Sequence, residues 1–332
     1  MRYYSVAITK KDGKPYTFAS LGSPLTSLLP SGPQNPQNGQ TNPAALQIEL
    51  DIPMANETNP AGNAYMRIWG LGLQDIGNAA DLNGFTVAIY AGMAKGLPLA
   101  NPAQAKLIMQ GTIFQAFGNW VNTDQTVDLI FQAGGAASGT MDAPGNFPFV
   151  WQPAQSMTSA IGNTLSTALP TLKQDIRISP NLVTNHTVTT HHQTLAAFAS
   201  SCNDLSIGLL GIDNYDGVQI TTDGVTVTVF DGLGAKPTPK PISFQDMIGQ
   251  PTWIGPQTIS LKTVMRGDIR LGDIITLPPS LATQSQQALL SLQDKSTFSG
   301  NYLVQLVHHF GNYRQPDAES WNTTFEIVPV PN

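Results

Sequence analysis

Histidines and closely spaced carboxylates are the side chains of this chain best equipped for chemistry. His186, His191 and His192 fall in one short stretch, and His308 is followed directly by His309. A neutral imidazole is a common metal ligand. The spacing argues against a metal site, because no HxxxH or HExxH pattern is present and adjacent histidines on a strand point to opposite faces. Asp213 with Asp216, and Asp268 with Asp273, offer the paired carboxyls that a glycosidase sets across a glycosidic bond. Each pair stands beside glycine in a segment that reads as a turn, where Asp serves the backbone. No G-x-S-x-G elbow occurs, and the Gly-rich AGGAASG lacks the lysine of a phosphate loop. Arg266-Gly267-Asp268 spells an adhesion tripeptide and Asn322-Thr323-Thr324 a glycosylation acceptor, but both read as strand-and-turn sequence. No catalytic, cofactor-binding or metal-ligating residue is expected, and no cofactor. Trp69, Trp120, Trp151, Trp253 and Trp321 read as core or interface anchors, with a sugar-binding platform as the alternative for a pair of them.

The composition bounds what holds these residues in place. Only 11% of the 332 residues are charged, whereas 41% are hydrophobic, enough to fill two or three cores and too much for a disordered chain. Thirty glycines and 25 prolines favour short strands and turns over long helices. Cys202 is the lone cysteine, which excludes an intrachain disulfide and suits a reducing compartment. The net charge of −6, with basic residues scattered, argues against a nucleic-acid-binding module. It remains compatible with a wall past which a polyanion slides. The segment MRYYSVAITKKDGK has no apolar signal-peptide core and no run reaches membrane-span length, so a soluble protein made in a cytoplasm, without a membrane anchor, is expected.

Hydrophobic periodicity divides the chain. Residues 1–45 read as a hairpin turning at Asp12-Gly13, followed by a Pro/Asn/Gln-rich loop from 21. Residues 46–133 form a compact β unit, with strands at 47–52, 64–69, 85–90, 107–114 and 126–131 and one short helix near 73–82. A linker at 134–149 leads to an α+β middle domain, 150–232. It holds a helix capped by Ser156, a second helix at 192–203 and a meander at 205–212, 218–221 and 225–230. After a linker at 233–243, residues 244–332 form a second β unit. There the run from Ile259 to Leu277 reads as strand, tight turn and strand, residues 302–310 as an alternating strand, and 321–327 as the last one.

This ordered series resembles the hub proteins in the baseplates of contractile-tailed bacteriophages. The segments LQIELDIPM, NAYMRIWGL, GFTVAIYAG, LIMQGTIFQA and TVDLIFQAG are similar to the first β domain of that family. SMTSAIGNTLSTALP and THHQTLAAFASSCNDLSIGLLGIDNYDGVQI are similar to its helical middle. The end matches as a strand over 266–273 with Gly at the turn, then Val304, Val307 and His308 or His309, then Trp321-Asn322-Thr323. The resemblance spans residues 46–327 and has no counterpart for the arm at 21–45.

The resemblance implies a mainly β fold with an α+β middle domain, and two tail-tube-like antiparallel β barrels. It further implies a homotrimeric ring that adapts a hexameric tail tube protein to a trimeric spike protein, contacts other baseplate proteins, and lines the route of genome ejection without gripping the DNA. Such a hub belongs to the virion's tail baseplate, is assembled in the host bacterial cytoplasm, and is not an enzyme. The alternative from another class is a tail-associated cell-wall hydrolase or carbohydrate-binding β protein. A tube- or sheath-associated protein of sixfold copy number is a third.

Overall fold

The first β unit is built largely on alternation. In β1 (Arg2–Thr9), β2 (Pro15–Ala19), β3 (Gln47–Pro53) and β4 (Asn63–Trp69), apolar residues such as Val6, Ile48, Leu50, Met66 and Ile68 turn inward. Glu49, Tyr65 and Arg67 alternate outward, as the two-residue strand period requires. A short helix α1 (Leu73–Gly77) and a 3-10 turn (Ala79–Leu82) lead into β5 (Thr86–Met93), β6 (Lys106–Val121) and β7 (Asp124–Ala133). The antiparallel order is β3-β4-β7-β6-β5-β1-β2. Both ends of this sheet curl around one core, so that Tyr4 and Ile8 share a cluster with Ile48 and Ile52. Tyr4 Oη donates to Leu46 O across the gap (2.6 Å). The ladder itself stays open, since β2 and β3 do not pair among the described residues. The computed structural model describes residues 1–9, 15–20, 41–53, 60–95, 101–133, 145–213, 215–278, 298 and 300–330. The Asp12-Gly13 turn, the loop at 21–40 and residues 134–144 of the expected linker lie outside these.

The middle unit packs two helices on small sheets. These are β8 (Phe147–Trp151), α2 (Met157–Ala168), β9 (Lys173–Arg177), β10 (Val188–His192), α3 (Leu195–Leu210), β11 (Gln219–Thr222) and β12 (Thr226–Phe230). Ser156 caps α2 as its sequence indicates, with Oγ accepting from Ser159 N, and Met157, Ile161 and Leu165 are buried. The second helix differs from expectation. It starts after His192, which lies in β10, and runs on through the segment read as a strand at 205–212 until Gly211 ends it in the left-handed region (φ 57°). A continuous apolar run such as Leu205–Ile212 carries no decisive period. The strands β8, β9 and β10 were not expected; β8 contains Pro148, and KQDIR in β9 shows no alternation.

The last unit contains β13 (Lys240–Pro241), β14 (Thr252–Trp253), β15 (Ile259–Val264), β16 (Ile274–Leu277), β17 (Gly300–Asn312) and β18 (Trp321–Pro329). β15 and β16 are not a hairpin, because β15 pairs with β18 while β16 pairs with β17. Nor is 266–273 a strand: it is a non-strand connection tied down by side chains. Strict alternation along β17 also fails, for a local reason. A bulge between Val304 and Leu306 resets the register, so that Leu303 and Val304 are both buried, Gln305 and Leu306 both half-buried, and Val307 and His309 buried again.

The two β units are not separate closed barrels. They share one 13-stranded sheet, joined where β17 pairs with β3.

Candidate functional site

β17 is the strand through which the units join. One of its edges pairs with β18 from Tyr302 to Gly311; the other pairs with β16 at residues 300–303 and with β3 at residues 308–312. A ladder β15-β18-β17-β3-β4-β7 therefore runs unbroken across both units. Residues opposite the two cores form rows across this ladder, among them Lys262–Thr324–His308 and Asn312–Glu49–Arg67–Asp128.

Polar side chains along these rows satisfy one another. His308 Nε2 lies 2.6 Å from Asp51 Oδ1, and Asn312 Nδ2 donates to Glu49 Oε1 at 2.7 Å. Asp128 is wholly buried beneath Arg67; it accepts from Arg67 Nε (2.6 Å), Tyr65 Oη (2.7 Å) and Asn119 Nδ2. The guanidinium lies over the rings of Tyr65 and Trp69, at 5.7 and 5.6 Å from their centroids. Burial, then the bond to Asp128, raises the Tyr65 phenol well above its ordinary range. Lys262 is matched by Glu319 at 3.3 Å. The cations of this face are thus held by carboxylates, and Asp51 and Glu326 add negative charge. Among the described residues of these strands, no surplus lysine or arginine is left with which to hold a phosphate chain.

A second feature lies where all three units meet, in the connection at 266–273. Arg266 is only 2% exposed and forks onto Asp268 (2.9 and 2.8 Å) while reaching Asp246 at 3.3 Å. Gln104, from the first unit, also donates to Asp246, and its carbonyl accepts from Gly267 N. A Cβ on Gly267 would lie 2.9 Å from Lys106 O, so glycine is what lets the connection touch the first unit. Asp273 receives Lys240 Nζ (2.6 Å), and Arg270 reaches Asp223 of the middle unit at 3.0 Å.

The residues nominated from sequence are dispersed. Asp268 and Asp273 are occupied by Arg266 and Lys240, and Asp216 by Gln305 Nε2 at 2.8 Å, while Asp213 is exposed. In the RGD sequence Arg266 and Gly267 are buried at the junction and Asp268 is half-buried. His186 contacts Asn185, His191 contacts Asn146 and His192 contacts Thr190. No group of three potential metal ligands occurs among the described residues. Trp151 and Trp321 are core, whereas Trp120 and Trp253 are exposed. The Asp128 and Asp246 clusters were missed by sequence reading, although Asp128 interrupting the apolar run TVDLIF was a visible signal.

His309 is fully buried, bonded through Nδ1 to Thr323 Oγ1 (2.9 Å), and burial followed by its neighbour His308 pushes its imidazole down to about 3 from 6.5. The fold keeps it neutral. Its contribution is complete above the unfolded value near 6.5 and is lost as pH falls toward about 3, because the unfolded chain takes up the proton first. The unfolding free energy from urea titrations between pH 7 and 4 is expected to fall less steeply in His309→Gln than in the parent, by up to about 1.4 kcal/mol per pH unit. Parallel slopes would remove His309 as an acid-sensitive element.

No protein-family model matches the chain, and no curated protein matches it in sequence. Solved structures do match in shape. One is the tail protein from Neisseria meningitidis MC58, with TM-score 0.52 and 9% identity over 98% of this chain and 96% of that one. Another is the 43 kDa tail protein of prophage MuSo2 from Shewanella oneidensis, with TM-score 0.51 and 8% identity over 99% and 98%. The chain shares the fold of these two tail proteins. The match extends over nearly the whole of each chain, so the middle unit and the joined β units are shared together. No helix among the described residues is long and apolar enough to cross a membrane.

Proposed function

We propose that this chain is a structural baseplate hub of a contractile phage tail. Three copies form a ring that adapts a hexameric tail tube to a trimeric spike, contacts other baseplate proteins and surrounds the path of the ejected genome. It acts in the virion's tail baseplate after assembly in the host bacterial cytoplasm, and it performs no catalysis and needs no cofactor. The observation that carries the reading is the ladder continuing through β17 from one β unit into the other. Two tube-like units held in one sheet give a trimer six similar stations, which matches a sixfold partner to a threefold one without a second gene product. The face of that ladder, its cations matched by carboxylates, supports passage of DNA without specific binding. The tail-protein fold supports the same class. A hydrolase would need two free carboxyls facing each other, whereas Asp268 and Asp273 are held by Arg266 and Lys240, and Asp216 is bonded to the Gln305 amide.

Native mass at high concentration tests the proposal. Three 35.4-kDa chains give about 106 kDa, and light scattering is expected to find that mass. A chain that stays at its single mass across the accessible range contradicts the ring.

A further inference from the structure

Resting on the ring proposed above, we infer that successive copies join head to tail through two particular edges of the shared sheet. One is the far half of β6. Beyond Thr112 this strand no longer pairs with β5, and residues 117–121 have β7 as their only strand partner among the described residues. Phe117, Trp120 and Val121 are exposed here, Trp120 by 62%. The indole is fixed: its Nε1 donates to Asn122 O at 2.9 Å, and Asn122 sits at φ 56° in the turn. Its polar atom faces its own chain and its ring faces water, so it is an anchor that loses little freedom on binding.

The other edge is that of β15. The two-residue β14 covers one end of it, where Ile254 N donates to Thr258 O (3.0 Å) and closes a turn that presents Ile254 and Trp253, the latter 45% exposed. Farther along the same edge Met247 bridges Thr263, and the neighbouring 3-10 turn exposes Phe244.

Size and geometry select the occupant. Each edge presents on the order of 300 Å² of apolar surface, since a Trp or Phe carries about 150–250 Å². Patches of a few hundred Å² mark interaction sites, and such a patch supplies the apolar centre of a standard contact of about 800 Å² per partner. A second copy of this chain covers both patches with one kind of contact. Contact between identical patches would cover one and leave the other in water; a head-to-tail contact repeats and closes.

Trp120→Asp and Ile254→Asp spoil one edge each at exposed positions, and thermal melting close to that of the parent verifies that both still fold. Light scattering at the concentration where the parent assembles is expected to find each variant as a single chain. Their equimolar mixture should form a pair of about 71 kDa that grows no further, because the pair uses the single intact edge of each partner and leaves only the spoiled ones. If both variants keep the parent's trimeric mass, the ring stands and these edges are wrong. If the mixture stays unassembled, the contact is not head to tail. A parent that is itself monomeric overturns the ring, and this inference with it.

Discussion

Arg266→Met is expected to lower folding stability by about 3–5 kcal/mol, read as a large drop in the urea midpoint at neutral pH. The guanidinium is nearly inaccessible, with its fork on Asp268 and its remaining nitrogen toward Asp246, itself 5% exposed. Removing the cation leaves a buried carboxylate with only Gln104 Nε2 and the Ser243 amide as partners. That is the costly case, because the lone charge remains desolvated. Arg266→Lys is expected to recover little, since an ammonium cannot make the two parallel bonds of the fork. Lys262→Met, which breaks the more exposed pair with Glu319, should change stability by less than about 1 kcal/mol. Comparable effects of Arg266→Met and Lys262→Met would contradict the reading of Arg266 as the buried counter-charge that holds Asp246 and Asp268.

The sequence made the strands of the first unit legible where one face is exposed and the other buried, as Ile48, Leu50 and Ile52 alternate with Glu49 and Asp51. It made the cap at Ser156 legible because the signal is local. What it hid was pairing. Nothing in the pattern of residues 302–312 indicates that one edge of β17 is divided between β16 and β3, and this single fact turns two β units into one sheet. The bulge at Val304/Leu306 was hidden for the same reason, since it exists only relative to a partner strand. The junction fared worse: Arg266, Asp246 and Gln104 are far apart in the chain, and in a list of residues Arg266-Gly267-Asp268 reads as a surface turn. The histidines at 186, 191 and 192 each meet a different neighbour, and Asp268 and Asp273 are taken up by cations while Asp213 is exposed.

Gly224→Ala should loosen the middle unit from the first β unit, with a loss of about 3 kcal/mol or more, as a clash is added to backbone strain. Gly224 has φ +86°, and a Cβ there would fall 1.6 Å from Gln110 O. Backbone cannot move aside as a flexible side chain can. The turn tip must therefore retreat from β6, and three contacts depend on its position: Gln110 N to Asp223 O (2.8 Å), Thr222 N to Pro60 O (2.9 Å), and Arg270 to Asp223 (3.0 Å). Gly249→Ala separates the two causes. Its φ is +80° but nothing lies within 4 Å of the added carbon, so only the left-handed strain of about 1–2 kcal/mol applies. Amide exchange reports where the loss occurs: the Gln110 amide should lose protection in Gly224→Ala and keep it in Gly249→Ala. Equal stability losses with Gln110 protected in both would mean that strain alone matters and that this close approach does not hold the middle unit in place. The opposite result would identify the turn at 222–226 as the element that fixes the middle unit against the sheet whose continuity supports the proposed ring.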